Sequence, residues 1–401
     1  MNKKFVHFFS VGLFLFYMAS MTISNLPIWK DTFATVKRNN TENEVVNYQQ
    51  LFLDFDSEFA KNMENKNEYI TLSGGFARFL GKTHFNNRFR LGNQLYQPRE
   101  LDLETIQSSV ENMTALQESL EALEIPLLYV QAPAIISPSG EELLPGMNNN
   151  ENESIDLLIE GLADTNVHIL DLRGNMIEEG RNFQDAYFDS DHHWTIETLF
   201  WASQHVLEEM SMLLDFELKE EYLGLEHWKQ TVYPDAFFGS SGQRVGTLFT
   251  GIEDFTLIEP DFETDFTSFP YGEEHRTRGD FSVIINKSYL NSTTLDDYME
   301  TYCFGVYDAG NDSVINNLAY NDKVILLLRD SFGMSLSKFI LPHIHSLYSV
   351  DLRHQPSEDL FDLIAEVDPD LVLIQYAPYS QTASGQKYEM QPIEVDSLKI
   401  P

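Results

Sequence analysis

A chain of 401 residues with one cysteine, Cys303, has no internal disulfide and no set of thiolates to hold zinc. Its fold must rest on a core, and 43% hydrophobic residues over this length supply a large one. Cations are scarce. Lys and Arg number 26 against 63 Asp and Glu, for a net charge of −37, and such a surface repels nucleic acid. Internal repeats and long low-complexity tracts are missing too. So are long apolar runs, except at the N-terminus. There Lys3 and Lys4 precede residues 5–29, which contain no Asp, Glu, Lys or Arg and centre on FFSVGLFLFYM. Residues 1–25 read as a signal segment or, because Ala19, Ser20, Thr22 and Ser24 form no clean Ala-x-Ala site, as an uncleaved membrane anchor. The expected location is extracytoplasmic, tethered to the cell membrane by this segment, or secreted if it is cleaved.

Residues 26–100 are polar, with Asn-rich pieces such as RNNTENE, and read as a stalk and an irregular N-terminal region. From residue 101 the pattern changes. Ile106, Val110, Met113, Leu116, Leu120 and Leu123 recur at helical spacing, and the apolar run IPLLYVQAP that follows reads as a strand buried on both faces. SIDLLIEGLAD and VHILDLR repeat the pair, and KVILLLRDSFG, MSLSKFILPHI, HSLYSVDLR, PSEDLFDLIAEV and PDLVLIQYAP complete it much later. Helices alternating with five buried strands predict an α/β, flavodoxin-like three-layer sandwich on a parallel sheet over residues 101–401. Residues 216–320 are aromatic and turn-rich, with short segments such as VGTLFTG and EDFTLIEP, and predict a largely β insertion capping the sheet edge. The Asn-rich MNNNENES reads as a surface loop.

Two segments carry candidate chemistry. Ser331, in RDSFG, stands where a buried parallel strand gives way to a helix, the place where open α/β sheets bind ligands and where helix N–H groups can stabilise an oxyanion. A serine there also serves simply as a helix cap. The second segment is YFDSDHHWT, residues 187–195. If it is extended, Asp191 and His193 share one side while His192 points away, so the carboxylate can fix the tautomer of His193 and leave its other nitrogen as a base. Trp194 reads as packing. Asp189, Asp191, His192 and His193 also make a carboxylate-imidazole cluster of the kind that holds zinc or manganese, although adjacent histidines usually diverge. Ser240 and Ser241, in GSSG, are rival serines, but they follow no buried strand and read as a turn.

DHHWT before a helix, with a strand-borne DSFG far downstream, resembles the bacterial DHHW family and the SGNH-hydrolase-like domains of alginate O-acetylation proteins. YVQAP, the DLR before the motif and VDLRH after the serine helix stand in the matching order, so the resemblance runs from about residue 101 to the C-terminus. It implies an SGNH-like fold with permuted motif order, the Asp and His preceding the serine. It also implies Ser331 as nucleophile, His193 as base and Asp191 as the group that orients it. Arg329 departs from the glycine of a GDS motif, and no Gly and Asn oxyanion donors match. The activity implied is an O-acetyltransferase or esterase on cell-surface or secreted carbohydrate. It would need no cofactor and would take its acyl group from a multi-spanning membrane acyltransferase. Two other readings are a non-catalytic carbohydrate-binding or scaffolding module and a metal-dependent hydrolase.

Overall fold

A small antiparallel sheet, β1 (His84–Phe85), β2 (Arg88–Leu91) and β3 (Gln94–Tyr96), precedes the α/β body in this computed structural model. The β1–β2 loop is Asn86-Asn87, both at positive φ (47° and 56°), which asparagine tolerates and a two-residue hairpin requires. The structure describes residues 12, 16, 19–20, 22–40, 53–55, 58–59, 61–270, 274–302, 304–308, 313–353 and 358–382. The chain divides into two compact units, Met1–Ser73 and Gly74–Pro401. In the first, Leu26–Asn40 is a helix. Most of residues 1–25, expected as the anchor, lie outside the described residues. Among the described residues no helix is long and apolar enough to cross a membrane.

Among the described residues the main sheet has eight strands. Its parallel part is β4 (Leu127–Gln131), β5 (His168–Asp171), β11 (Val324–Arg329), β12 (Ser346–Val350) and β13 (Leu371–Tyr376), in the order β5-β4-β13-β11-β12. The last described strand, β13, thus lies in the middle, between β4 and β11. Side chains alternate across β11 with period two: Ile325 and Leu327 enter one core cluster, Leu326 and Leu328 the other. β4 and β13 do the same, which is why their sequences are continuously apolar. Helices Leu103–Glu121, Asn150–Leu162 and Glu358–Val367 cover one face through residues such as Met113, Leu158 and Phe361. Helices Ile196–Leu214 and Ser331–Ile340 cover the other through Leu199, Leu207 and Phe339. Each fully buried leucine contributes about 1.5–3 kcal/mol to the core.

Several local expectations need correction. β5 is an edge strand and only half-buried, so VHILDLR is not covered on both faces. Residues 216–320 are mixed rather than mainly β. β6 (Trp228–Phe237) and β7 (Glu253–Pro260) pair with each other, whereas β8 (Phe266–Phe269), β9 (Thr277–Gly279) and β10 (Ser313–Asn316) extend the main sheet antiparallel beyond β12. VGTLFTG is helical: Val245 ends one short helix and Thr247–Thr250 forms the next, bounded by Gly246 and Gly251 at positive φ. Val245 and Phe249, four apart, pack together with Ala77 and Leu95. MNNNENES is partly a helix start, with Asn152 buried and donating to the carbonyl of Ile136 at 2.8 Å.

Candidate active site

β11 ends at Arg329, Asp330 caps the next helix, and Ser331 is that helix's first residue. The Asp330 carboxylate accepts hydrogen bonds from the Phe332 N–H (2.9 Å), the Ala377 N–H (2.8 Å) and the Ser380 hydroxyl (2.9 Å). Burial pushes its pKa up against those bonds. It ties the end of β11 to the end of β13 and fixes the turn that presents Ser331, which is half-buried. Aspartate before a helix is a familiar capping signal, but nothing local in the sequence marks its tie to Ala377 and Ser380.

The segment before helix Ile196–Leu214 is a tight loop, not a strand. Tyr187 and Trp194 face each other in an antiparallel bridge, and the Phe188 N–H donates to the His193 carbonyl at 3.2 Å. Inside the loop the N–H groups of His192 (2.6 Å) and His193 (3.1 Å) both donate to Asp191 Oδ1, the local bonding with which aspartate favours turns. Period-two reasoning therefore fails for His192. Its ring lies beside that of His193, with centroids 3.9 Å apart, and its Nδ1 is 2.9 Å from the same Asp191 oxygen and 3.0 Å from Ser240 Oγ.

The three predicted residues come together. His193 Nδ1 is 2.7 Å from Asp191 Oδ1, and His193 Nε2 is 2.8 Å from Ser331 Oγ. With Nδ1–H donating to the carboxylate, Nε2 is free to accept the serine proton. Phe304 stacks on the imidazole at 3.9 Å and 11°, and Phe332 flanks it at 5.1 Å. Trp194 is fully buried and packs against Phe332, as its reading as a packing residue expects.

GSSG, read as a turn, opens the short helix Ser240–Val245 and holds the carboxylate from behind. The Ser240 N–H donates to Asp191 Oδ2 at 2.7 Å. Gly239 N–H donates to Ser190 Oγ and Gly242 N–H to the Ser190 carbonyl, at 2.8 and 2.7 Å. Glu253 grips the same loop, accepting from the N–H groups of Asp189 (2.6 Å) and Ser190 (2.8 Å) and from the Ser190 hydroxyl. Burial raises the Glu253 pKa to about 7 despite those bonds. Ser240 is no second nucleophile of triad type, because it and Asp191 meet the same nitrogen of His192 and a relay needs both. No sequence signal points to Glu253. The small residues of GSSG are the one legible hint of close packing.

Burial alone would raise the Asp191 carboxyl, but the two imidazoles and their hydrogen bonds hold it well below the usual range. For His193 burial and the neighbouring His192 outweigh Asp191, and its pKa is pushed down to about 4. The ring is then neutral at pH 7, the state a base requires. Asp191, His192 and His193 also group closely enough to suggest a metal, while Asp189 is not part of the group. The spacing is that of shared protons: both Nδ1 atoms lie within 2.9 Å of one oxygen, whereas ligands at about 2.0–2.1 Å from a tetrahedral zinc stand roughly 3.3 Å apart. The three side chains thus hold one another by hydrogen bonds, at a spacing tighter than that of a zinc site.

No protein-family model matches the chain, and no curated protein matches it. Solved structures do. Bacillus cereus PatB1 superposes with a TM-score of 0.61 at 18% identity, over 75% of this chain and 99% of its own; its structure with a sulfonyl adduct gives 0.62 at 17%, over 76% and 99%. A DHHW family protein from Eubacterium siraeum gives 0.54 at 15%, over 76% and 95%. This chain shares their fold. The O-acetyltransferase domain of Pseudomonas putida AlgJ is more distant, with a TM-score of 0.40 at 12% identity, over 69% and 83%. What the chain shares with PatB1 and the DHHW family protein is the mixed α/β body with its large, mostly parallel sheet.

The lowered pKa of His193 gives a first test. If His193 is a base active when neutral, activity falls as acid protonates it, so the acid limb of kcat/KM should lie below the ordinary histidine value of about 6.5, toward about 4. A limb at 6.5 or above, in a pH series on any ester that is turned over, contradicts this electrostatic account.

Proposed function

We propose that this protein is an SGNH-type serine O-acetyltransferase or esterase, of permuted motif order, that acts outside the cytoplasm on cell-surface or secreted carbohydrate. The observation carrying the reading is the unbroken line Asp191 Oδ1, His193 Nδ1, His193 Nε2, Ser331 Oγ, with steps of 2.7 and 2.8 Å around an intervening imidazole. Ser331 Oγ attacks the acetyl carbonyl and passes its proton to His193 Nε2. The tetrahedral oxyanion would face the Ser331 N–H at the start of helix Ser331–Ile340, the Phe332 N–H being held by Asp330, and collapse expels the leaving alcohol with the proton from Nε2. A sugar hydroxyl or water then attacks the acetyl-serine, gives its proton to His193, and releases Ser331. Asp191 stays ionised throughout and steadies the imidazolium.

PatB1 supports the reading through its fold and its sulfonyl adduct, the kind of product that an activated nucleophile forms. Residues 1–25 would hold the body at the membrane. Acetyl-CoA is absent outside the cell, so a multi-spanning acyltransferase would deliver the acetyl group. The chemistry needs no cofactor.

Mixing the protein with 4-nitrophenyl acetate should release a burst of nitrophenolate approaching one equivalent per active site, unaffected by EDTA. No turnover at all favours a binding module. Turnover lost on chelation and restored by zinc favours a metal hydrolase.

A further inference from the structure

Two aromatic side chains close to each other in sequence meet His193 in different ways. Phe304 covers its face and is 1% exposed, whereas Tyr302 stands at its edge and is 37% exposed. The Tyr302 hydroxyl is 3.5 Å from His193 Nε2, the nitrogen bonded to Ser331 Oγ. Tyr187 and Tyr307 are buried tyrosines whose hydroxyls donate to the carbonyls of Pro133 and Ile258. Tyr302 brings its hydroxyl to the base, and the residue is partly open to solvent.

Position at Nε2 has a chemical meaning. The oxygen that resolves an acyl-enzyme must come within about 2.6–3.2 Å of the base that takes its proton. A phenol 3.5 Å from Nε2 borders that position and can donate a hydrogen bond to a lone pair of the same oxygen. The partly open residue also offers apolar surface to a carbon skeleton, as tyrosine does at wet interfaces, and water has no carbon skeleton to bury.

We propose that Tyr302 forms the acceptor subsite, holding the alcohol that takes the acyl group and favouring it over water. The inference rests on the acyl-serine reading above. In the step it serves, the alcohol oxygen bonds to the acyl carbon and its proton passes to His193 Nε2. The bond from that carbon to Ser331 Oγ breaks, and Oγ recovers the proton from His193. Tyr302 keeps its own proton throughout.

The test separates the two half-reactions. Native protein and Tyr302→Phe are acetylated with 4-nitrophenyl acetate, and decay of the acetyl-protein is followed by intact mass with and without methyl β-D-glucopyranoside. Burst amplitude normalises each preparation for its active fraction. The glucoside should accelerate decay of the native acetyl-protein, and Tyr302→Phe should slow transfer to the glucoside about tenfold more than it slows acylation. Parallel slowing of both half-reactions overturns the proposal and makes Tyr302 an oxyanion donor or a packing residue. It is likewise overturned if the variant matches the native protein, or if the native acetyl-protein forms but ignores the glucoside. A native protein that never becomes acetylated overturns the serine-enzyme reading and the subsite with it.

Discussion

Replacing His193 with alanine should lower turnover of an acetyl ester by about a thousandfold or more, the usual consequence of removing a triad member. The ring is the sole link between Asp191 and Ser331 in the chain of 2.7 and 2.8 Å contacts. His192→Ala should behave differently, although His192 also bonds Asp191 Oδ1. Its ring does not stand between the carboxylate and the nucleophile, and its backbone N–H bond to Asp191 survives the substitution. We expect a loss of about tenfold or less, together with an upward move of the acid limb. After burial, His192 is the next influence holding the His193 pKa down, and removing that ring relieves it. Steady-state rates across pH for both variants, with thermal melts to establish folding, check this. Equal near-total losses with normal melts would contradict the account and revive a site in which both rings bind a metal.

Gly239→Ala should be nearly as damaging, by a steric route. The φ of Gly239 is −84°, a conformation any residue adopts, so the constraint is space. A Cβ there would stand 2.3 Å from both Cβ and Oδ2 of Asp191. Asp191 is 1% exposed and cannot swing aside without losing the Ser240 N–H bond to Oδ2 or its hold on His193. Overpacking of this kind costs about 1–3 kcal/mol of stability, and displacement of a positioned catalytic group by about 1 Å can cost a hundredfold in rate. Chemical denaturation and ester turnover measure the two effects. A variant with native stability and native rate would mean that GSSG does not hold the carboxylate.

The sequence was most legible where one periodicity governs. The continuous apolar runs of β4, β11 and β13 announce strands buried on both faces, and the apolar face of Leu103–Glu121 announces its helix. Ser331, His193 and Asp191 were visible because each sits beside such an element. The failures occur where side chains bonding to backbone set the conformation. Asp191 accepts from two successive N–H groups and bends the chain, so alternation along an imagined strand misplaced His192. The braces from Glu253 and GSSG join residues 64 and 49 positions apart, and no local pattern encodes such a pairing. β8, β9 and β10 look like an appended cap in sequence because their partners, β12 and one another, are chosen only when the sheet edge exists.

The central claim is that His193 activates Ser331, and the most direct measurement is covalent capture of that oxygen. Protein treated with phenylmethylsulfonyl fluoride, digested and mapped by mass spectrometry should carry one sulfonyl group on the peptide containing Ser331. The same treatment of His193→Ala should leave that peptide unmodified. Labelling of Ser240 or Ser241 in place of Ser331, or equal labelling of Ser331 with and without His193, would contradict it.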